Sequence, residues 1–248
     1  MRILLSGLGG HMGAEVVRLA KTGKYDIEIK AGVDPNGASC TDIPCAADFD
    51  SADTDVDCIM DFSHHSATEA LLAFAVKNRL PLVLATTGQT EEERAMIQEA
   101  SEEIPLFFAA NYSLGIALLI EFAQKAAAVF PDAEIEIIEK HHDRKVDAPS
   151  GTALAIAEAM QEARPELTFH SGRTGFGKRT PEEIGIHSIR IGNLAGIHEV
   201  MIGTGTQTLT LKHEAHDRAL FAEGALTAAL FLQGKPAGFY DMKSLITL

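Results

Sequence analysis

Residues 139–153 read Glu-Lys-His-His-Asp-Arg-Lys-Val-Asp-Ala-Pro-Ser-Gly-Thr-Ala, the part of the chain richest in groups that can do chemistry. His141, His142 and Lys145 can supply or accept protons close to neutral pH. Ser150, Gly151 and Thr152 open an apolar helix, whose first backbone N–H groups are free to hold an anion. Proton donors beside a carboxylate cradle point to an active site for an acidic small molecule. A plain surface placement of the two histidines is the alternative. Metal binding by the pair fits poorly, because neighbours on a strand point to opposite faces.

A second set lies near the N-terminus. Gly7, Gly10 and Gly13 stand three apart between a strand and a helix, as G-x-x-G-x-x-G; Met12 occupies the last place of the stricter G-x-G-x-x-G. Such a turn lets a pyrophosphate approach a helix N-terminus. Asp34 ends the second strand, where a carboxylate can accept hydrogen bonds from an adenosine ribose; a turn residue before Pro35 is the alternative. No Lys or Arg occurs from Ala31 to Asp50, so a 2′-phosphate would meet a carboxylate and no cation. NADH is therefore expected to be preferred over NADPH. Ala85-Thr86-Thr87-Gly88 and Ala109-Ala110-Asn111-Tyr112 follow the fourth and fifth strands and either line the nicotinamide or are ordinary loops.

The elements that must position these groups alternate at first. Strands are expected at Arg2–Ser6, Ile27–Val33, Cys58–Phe62, Pro81–Ala85 and Pro105–Ala109, with helices between them, one of them capped by Ser63. Repeated β-α-β units imply a parallel sheet covered on both faces. After Tyr112 come a long helix (Leu114–Val129), a strand (Ala133–Glu139) and the Ser150 helix. A Gly- and Arg-rich loop at 171–182 has the look of a mobile segment, and Arg173, Lys178 and Arg179 within it either steer a substrate or are plain surface. Three strands follow at Ile186–Ile191, His198–Ile202 and Thr206–His213, and residues 217–232 are expected to form the final helix. The fold class is α/β. A Rossmann-type dinucleotide domain (1–111 and 217–248) carries an inserted α+β domain (112–216) for substrate binding and oligomerisation.

The 248 residues are 46% apolar and carry a formal net charge of −14, which argues against nonspecific nucleic-acid binding and against an anionic membrane surface. Cys40, Cys45 and Cys58 are too few for a disulfide framework and suggest small buried or loop residues in a reducing compartment, the cytoplasm by default. His187, His198, His213 and His216 lack zinc-type spacing and are expected to be structural or solvated.

Taken together, the chain resembles the 4-hydroxy-tetrahydrodipicolinate reductase family (dihydrodipicolinate reductase in older usage) of bacterial lysine and diaminopimelate synthesis. The segment from His141-His142 through Asp147-Ala148-Pro149-Ser150-Gly151-Thr152 looks like that family's signature. Gly7–Gly13, Ala85–Gly88, Asn111–Gly115, Arg190-Ile191-Gly192 through Gly196-Ile197-His198, and Gly238–Met242 are similar to its other motifs, in the same order. The resemblance implies an NAD(P)H-dependent reductase that assembles as a homotetramer. It implies His141 as proton donor and acceptor, Lys145 as proton donor, and His142, Gly151 and Thr152 as substrate-binding residues. It places the cofactor on Gly7, Leu8, Gly9, Gly10, His11, Met12, Asp34, Ala85, Thr86, Thr87, Ala109, Ala110, Asn111 and Tyr112. Ala85, Tyr112 and His11 depart from the glycine, phenylalanine and arginine common there. A noncatalytic NAD-binding sensor on the same fold is one rival, and a two-domain dehydrogenase for another amino or oxo acid is a second.

Overall fold

The computed structural model describes residues 1–37 and 42–247; Cys40 lies outside them. The apolar run Ile3-Leu4-Leu5 forms β1 (Arg2–Ser6) and leads through the glycine turn into α1 (His11–Ala20), which buries Val16, Val17 and Leu19. Then come β2 (Glu28–Val33), the two-residue β3 (Cys45–Ala46) and β4 (Cys58–Asp61). A 3-10 turn (His65–Ala67) precedes α2 (Thr68–Asn78). Ser63 does not cap this helix: His64 caps the 3-10 turn, and the Ser63 hydroxyl donates to Asp61 instead. A neighbouring carboxylate thus captures the side chain that the sequence pattern assigned to a cap. β5 (Leu82–Leu84) is followed by α3 (Glu91–Ser101), which starts in a Thr90–Glu93 capping box, and by β6 (Pro105–Phe108).

The chain then builds a second set of elements: α4 (Leu114–Val129, capped by Ser113), β7 (Glu134–His141), α5 (Gly151–Ala163), β8 (Thr168–Ser171), β9 (Glu183–Arg190), β10 (Gly196–Gly203) and β11 (Thr208–Ala215). It ends with α6 (Ala219–Leu232), β12 (Gly238–Tyr240) and α7 (Met242–Ile246). So 217–232 is not the final helix. The three-residue β12 is a short edge strand with no alternation to read, and it pairs in parallel with β6.

Two compact units result, Met1–Tyr112 with Ala219–Leu248, and Ser113–Arg218. In the first, a parallel sheet runs in the order β12-β6-β5-β4-β1-β2-β3. Strand order reverses on either side of β1, so the ends of β1, β2 and β4 share one carboxyl edge, where open α/β sheets bind ligands. In the second, a mixed sheet runs β11-β10-β7-β9-β8, with β7 central, antiparallel to β10 and parallel to β9. One face packs on α4 and α5 through Ile135, Ile137, Ile156, Met160, Ile184 and Val200. The 172–182 segment is tied down: Arg179 donates to Glu136 at 3.2 Å, and Arg173 pairs with Glu183. No helix among the described residues is long and apolar enough to cross a membrane.

Candidate active site

In the first unit the glycines do steric work. Gly7 has φ +81°, and a Cβ there would lie 2.5 Å from the Phe62 carbonyl oxygen. A Cβ on Gly13 would lie 2.2 Å from the Gly7 oxygen. Gly10, at the N-cap of α1, offers no side chain to its N–H groups, and the first turn carries no acid. An uncapped, close-approach helix start of this kind fits a pyrophosphate. His11 and Gly9 are exposed beside it. Leu8 is fully buried over Gly32, so only its backbone can face a ligand. Asp34 is held at the end of β2, accepting from Gly9 N and Asn36 N at 2.9 Å each.

The loops after β5 and β6 open on that same edge. Thr87 and Ala110 are exposed, Ala85, Ala109 and Asn111 are half-buried, and Thr86 is buried. Tyr112 turns inward; its hydroxyl donates to the carbonyls of Leu84 (2.9 Å) and Phe107 (3.2 Å), so its side chain ties down strand ends. Asp61, unnoticed in the sequence, is buried at the end of β4, and burial pushes its carboxyl up against the opposing Ser63 hydrogen bond.

The second unit's cluster forms where the inward row of β7 changes character. Period-2 alternation puts Ile135, Ile137, Glu139 and His141 on one face, so two polar groups continue the apolar row. Glu139 is 0% exposed. Its carboxylate accepts a bidentate pair from Arg190 on β9 (2.7 and 2.8 Å), the His141 Nδ1–H at 2.6 Å and the Ser150 N–H at 3.1 Å. Burial alone would raise this carboxyl, but the bonds from Arg190 and His141 outweigh it and bring it down to about 2. Burial lowers the His141 imidazole, with Glu139 opposing. On the other flank, β10 places His198 edge-on to His141, with ring centroids 5.2 Å apart. Burial, then the neighbouring His141, brings His198 down to about 4.

The helix α5 starts above this cluster. Ser150 Oγ accepts from Ala153 N, and its N–H is bonded to Glu139. Gly151 is exposed, with nothing within 4 Å of an added Cβ, and Thr152 is half-buried. His142 follows the last residue of β7 and is half-buried. Two turns are pinned together by His142 N to Leu194 O (3.0 Å) and Arg144 to Asn193 (2.6 Å). Lys145 pairs with Asp147 at 2.8 Å, which lowers the Asp147 carboxyl. His141, Lys145 and the α5 start therefore belong to one local cluster. Glu139, Arg190 and His198 complete it; the sequence put Arg190 and His198 in a family-like motif, with His198 expected to be structural or solvated, but named none of the three as a partner of His141. The signal for Glu139 was a carboxylate at an inward strand position. Among the described residues no group of three His, Cys, Asp or Glu side chains is arranged to hold a metal ion.

Comparison with known proteins shows the family. The family model described as "Dihydrodipicolinate reductase, N-terminus" matches residues 1–112, and "Dihydrodipicolinate reductase, C-terminus" matches residues 115–246. A 4-hydroxy-tetrahydrodipicolinate reductase from Clostridium tetani is 42% identical, covering 99% of this chain and 97% of the relative. One from Caldanaerobacter subterraneus subsp. tengcongensis is 43% identical, covering 99% and 98%. The solved structure of a dipicolinate-bound dihydrodipicolinate reductase from Paenisporosarcina sp. TG-14 superposes with a TM-score of 0.82 at 26% identity, covering 100% of this chain and 99% of that one. Matched from end to end by both halves of one family and by full-length relatives, the chain belongs to the dihydrodipicolinate reductase family.

Proposed function

We propose that this chain is an NAD(P)H-dependent oxidoreductase that reduces 4-hydroxy-tetrahydrodipicolinate, with loss of water by way of dihydrodipicolinate, to tetrahydrodipicolinate in the diaminopimelate route to lysine. The observation that carries this is the segment 139–152, which holds a histidine on a buried carboxylate, a lysine and the Ser150-capped start of α5 in one cluster. A noncatalytic sensor would have no use for it.

The Gly7–Met12 turn, Asp34 and the loops at Ala85–Thr87 and Ala109–Tyr112 would hold a nicotinamide cofactor, which would supply the hydride. The glycine-lined helix start of α1 supports the pyrophosphate placement, and the Asp34 carboxylate supports NADH as the preferred form. The substrate is a cyclic imine with two carboxylates. Reduction of the conjugated system left by water loss moves negative charge toward the ring nitrogen, so a proton and a nearby cation are required. His141 exchanges that proton, and the Lys145 ammonium donates and stabilises charge. His142 and the N–H groups of Gly151 and Thr152 hold carboxylate oxygens at the start of α5.

The assembly is a homotetramer in the cytoplasm. The face of the second sheet away from α4 and α5 presents Ile138, Ile189 and Met201, which suits packing against another copy; light scattering should return a four-chain mass. Buried Cys58, its thiol pushed up to about 12 by burial, is inert in that setting. The test of function is NADH oxidation with freshly generated 4-hydroxy-tetrahydrodipicolinate, with lactate and oxaloacetate as controls. Turnover with the first alone is expected, and no turnover with it would overturn the assignment.

A further inference from the structure

A carboxylate on an inward strand position needs a reason, because an ionised group without water must be fully paired. Glu139 is paired to capacity. Oε1 accepts from Ser150 N (3.1 Å) and Arg190 Nη2 (2.7 Å), and Oε2 accepts from Arg190 Nη1 (2.8 Å) and His141 Nδ1 (2.6 Å). Two bonds per oxygen leave little to offer a ligand. Three of the four donors are themselves fixed. Ser150 N is the cap of α5, and the Arg190 guanidinium is also tied to the carbonyls of Ile189 (2.9 Å) and Asp147 (2.6 Å). The fourth donor is the His141 ring.

That ring is confined on its other sides as well. His198 stands edge-on to it, and a Cβ added to Gly196 would lie 3.1 Å from His141 Nε2. With Nδ1 committed to Glu139, Nε2 is the nitrogen left to meet a substrate. We infer that Glu139 is a positioning residue for His141: clamped by Arg190 and the Ser150 N–H, its carboxylate keeps the neutral ring's proton on Nδ1 and presents Nε2 for proton exchange. This rests on the proton-exchange role proposed for His141.

The charges around the ring set the sign of the effect. Glu139 lies on the same strand, Arg190 on β9 and His198 on β10, with Lys145 and Asp147 in the loop that follows β7. Glu139 and Arg190 offset one another at a distance, but the carboxylate touches the ring. When Nε2 takes up a proton, the imidazolium is held by the Nδ1–H bond to Glu139; when Nε2 gives the proton to substrate, the neutral Nδ1–H ring returns. Glu139→Gln keeps the shape and removes the negative charge, leaving the Arg190 cation facing the ring. The imidazolium is then disfavoured, and the His141 limb of the pH profile moves to lower pH.

The experiment combines kcat/KM pH profiles of wild type, Glu139→Gln and His141→Ala with NMR of the ring nitrogens in the labelled full-length protein. Expected are a wild-type His141 protonated on Nδ1, and a Glu139→Gln kcat lower by at least about 10- to 100-fold, the range for losing the carboxylate behind a metal-bound histidine, with KM little changed and the limb displaced to lower pH. A wild-type ring protonated on Nε2 overturns the inference, and this needs no variant to fold. So does a Glu139→Gln profile identical to wild type while His141→Ala is inactive. Full activity in His141→Ala overturns instead the proposed role of His141, on which the inference stands.

Discussion

Nε2 of His198 lies 3.2 Å from Oγ of Ser150, the oxygen that also accepts the Ala153 N–H at the start of α5. Nδ1 of the same ring is buried without a hydrogen-bond partner among the described residues. Protonation would put a charged N–H there with no acceptor, which is why burial takes His198 from 6.5 down to about 4. The unfolded chain then binds this proton more readily than the folded one, so stability falls as pH drops from about 6.5 toward 4. Glu139, depressed from 4.5 to about 2, adds a second loss that begins only below about pH 4.5 and runs toward 2. Urea midpoints measured from pH 7 to 4 should decline steadily in wild type, and His198→Gln should flatten the slope. An unchanged slope in His198→Gln would show that the ring does not titrate this way.

The glycine turn makes a steric prediction. A Cβ at Gly13 meets the backbone oxygens of Gly7 at 2.2 Å and Leu8 at 2.8 Å, and backbone atoms cannot step aside as a side chain can. Gly13→Ala should cost about 1–3 kcal/mol of stability and weaken NADH binding in a fluorescence titration. A wild-type melting temperature and Kd would mean that the turn does not need the close approach.

Much of this was legible in the chain and some was not. The β-α alternation showed through runs such as Ile3-Leu4-Leu5, and the Leu114–Val129 helix showed as a long apolar run, though its Ser113 cap did not. The candidate site showed because His141, Lys145 and the Ser150 cap lie within one short segment. Arg190 and His198 were not readable as partners, since Arg190 reaches Glu139 from 51 residues away and only the β7–β9 register brings them together. Ser63 and the β12 edge strand were misread or missed because one hydrogen bond to Asp61 and one edge pairing with β6 decided them. Local pattern carries no trace of either.

The proposed preference for NADH rests on Asp34. Its carboxylate is fixed by Gly9 N and Asn36 N, and the sequence from Ala31 to Asp50 supplies no cation to receive a 2′-phosphate. The kcat/KM for NADH should exceed that for NADPH by at least about tenfold, ~1.4 kcal/mol, and Asp34→Ala should narrow the ratio. A wild-type preference for NADPH would contradict this account.

If His141 and Lys145 carry the proton chemistry, steady-state turnover with freshly generated 4-hydroxy-tetrahydrodipicolinate, run beside NADH titrations of the same proteins, will show it. His141→Ala and Lys145→Ala should each lower kcat by about 10²- to 10⁴-fold while binding NADH as wild type does. Turnover close to wild type in both variants would remove the two residues from the reaction.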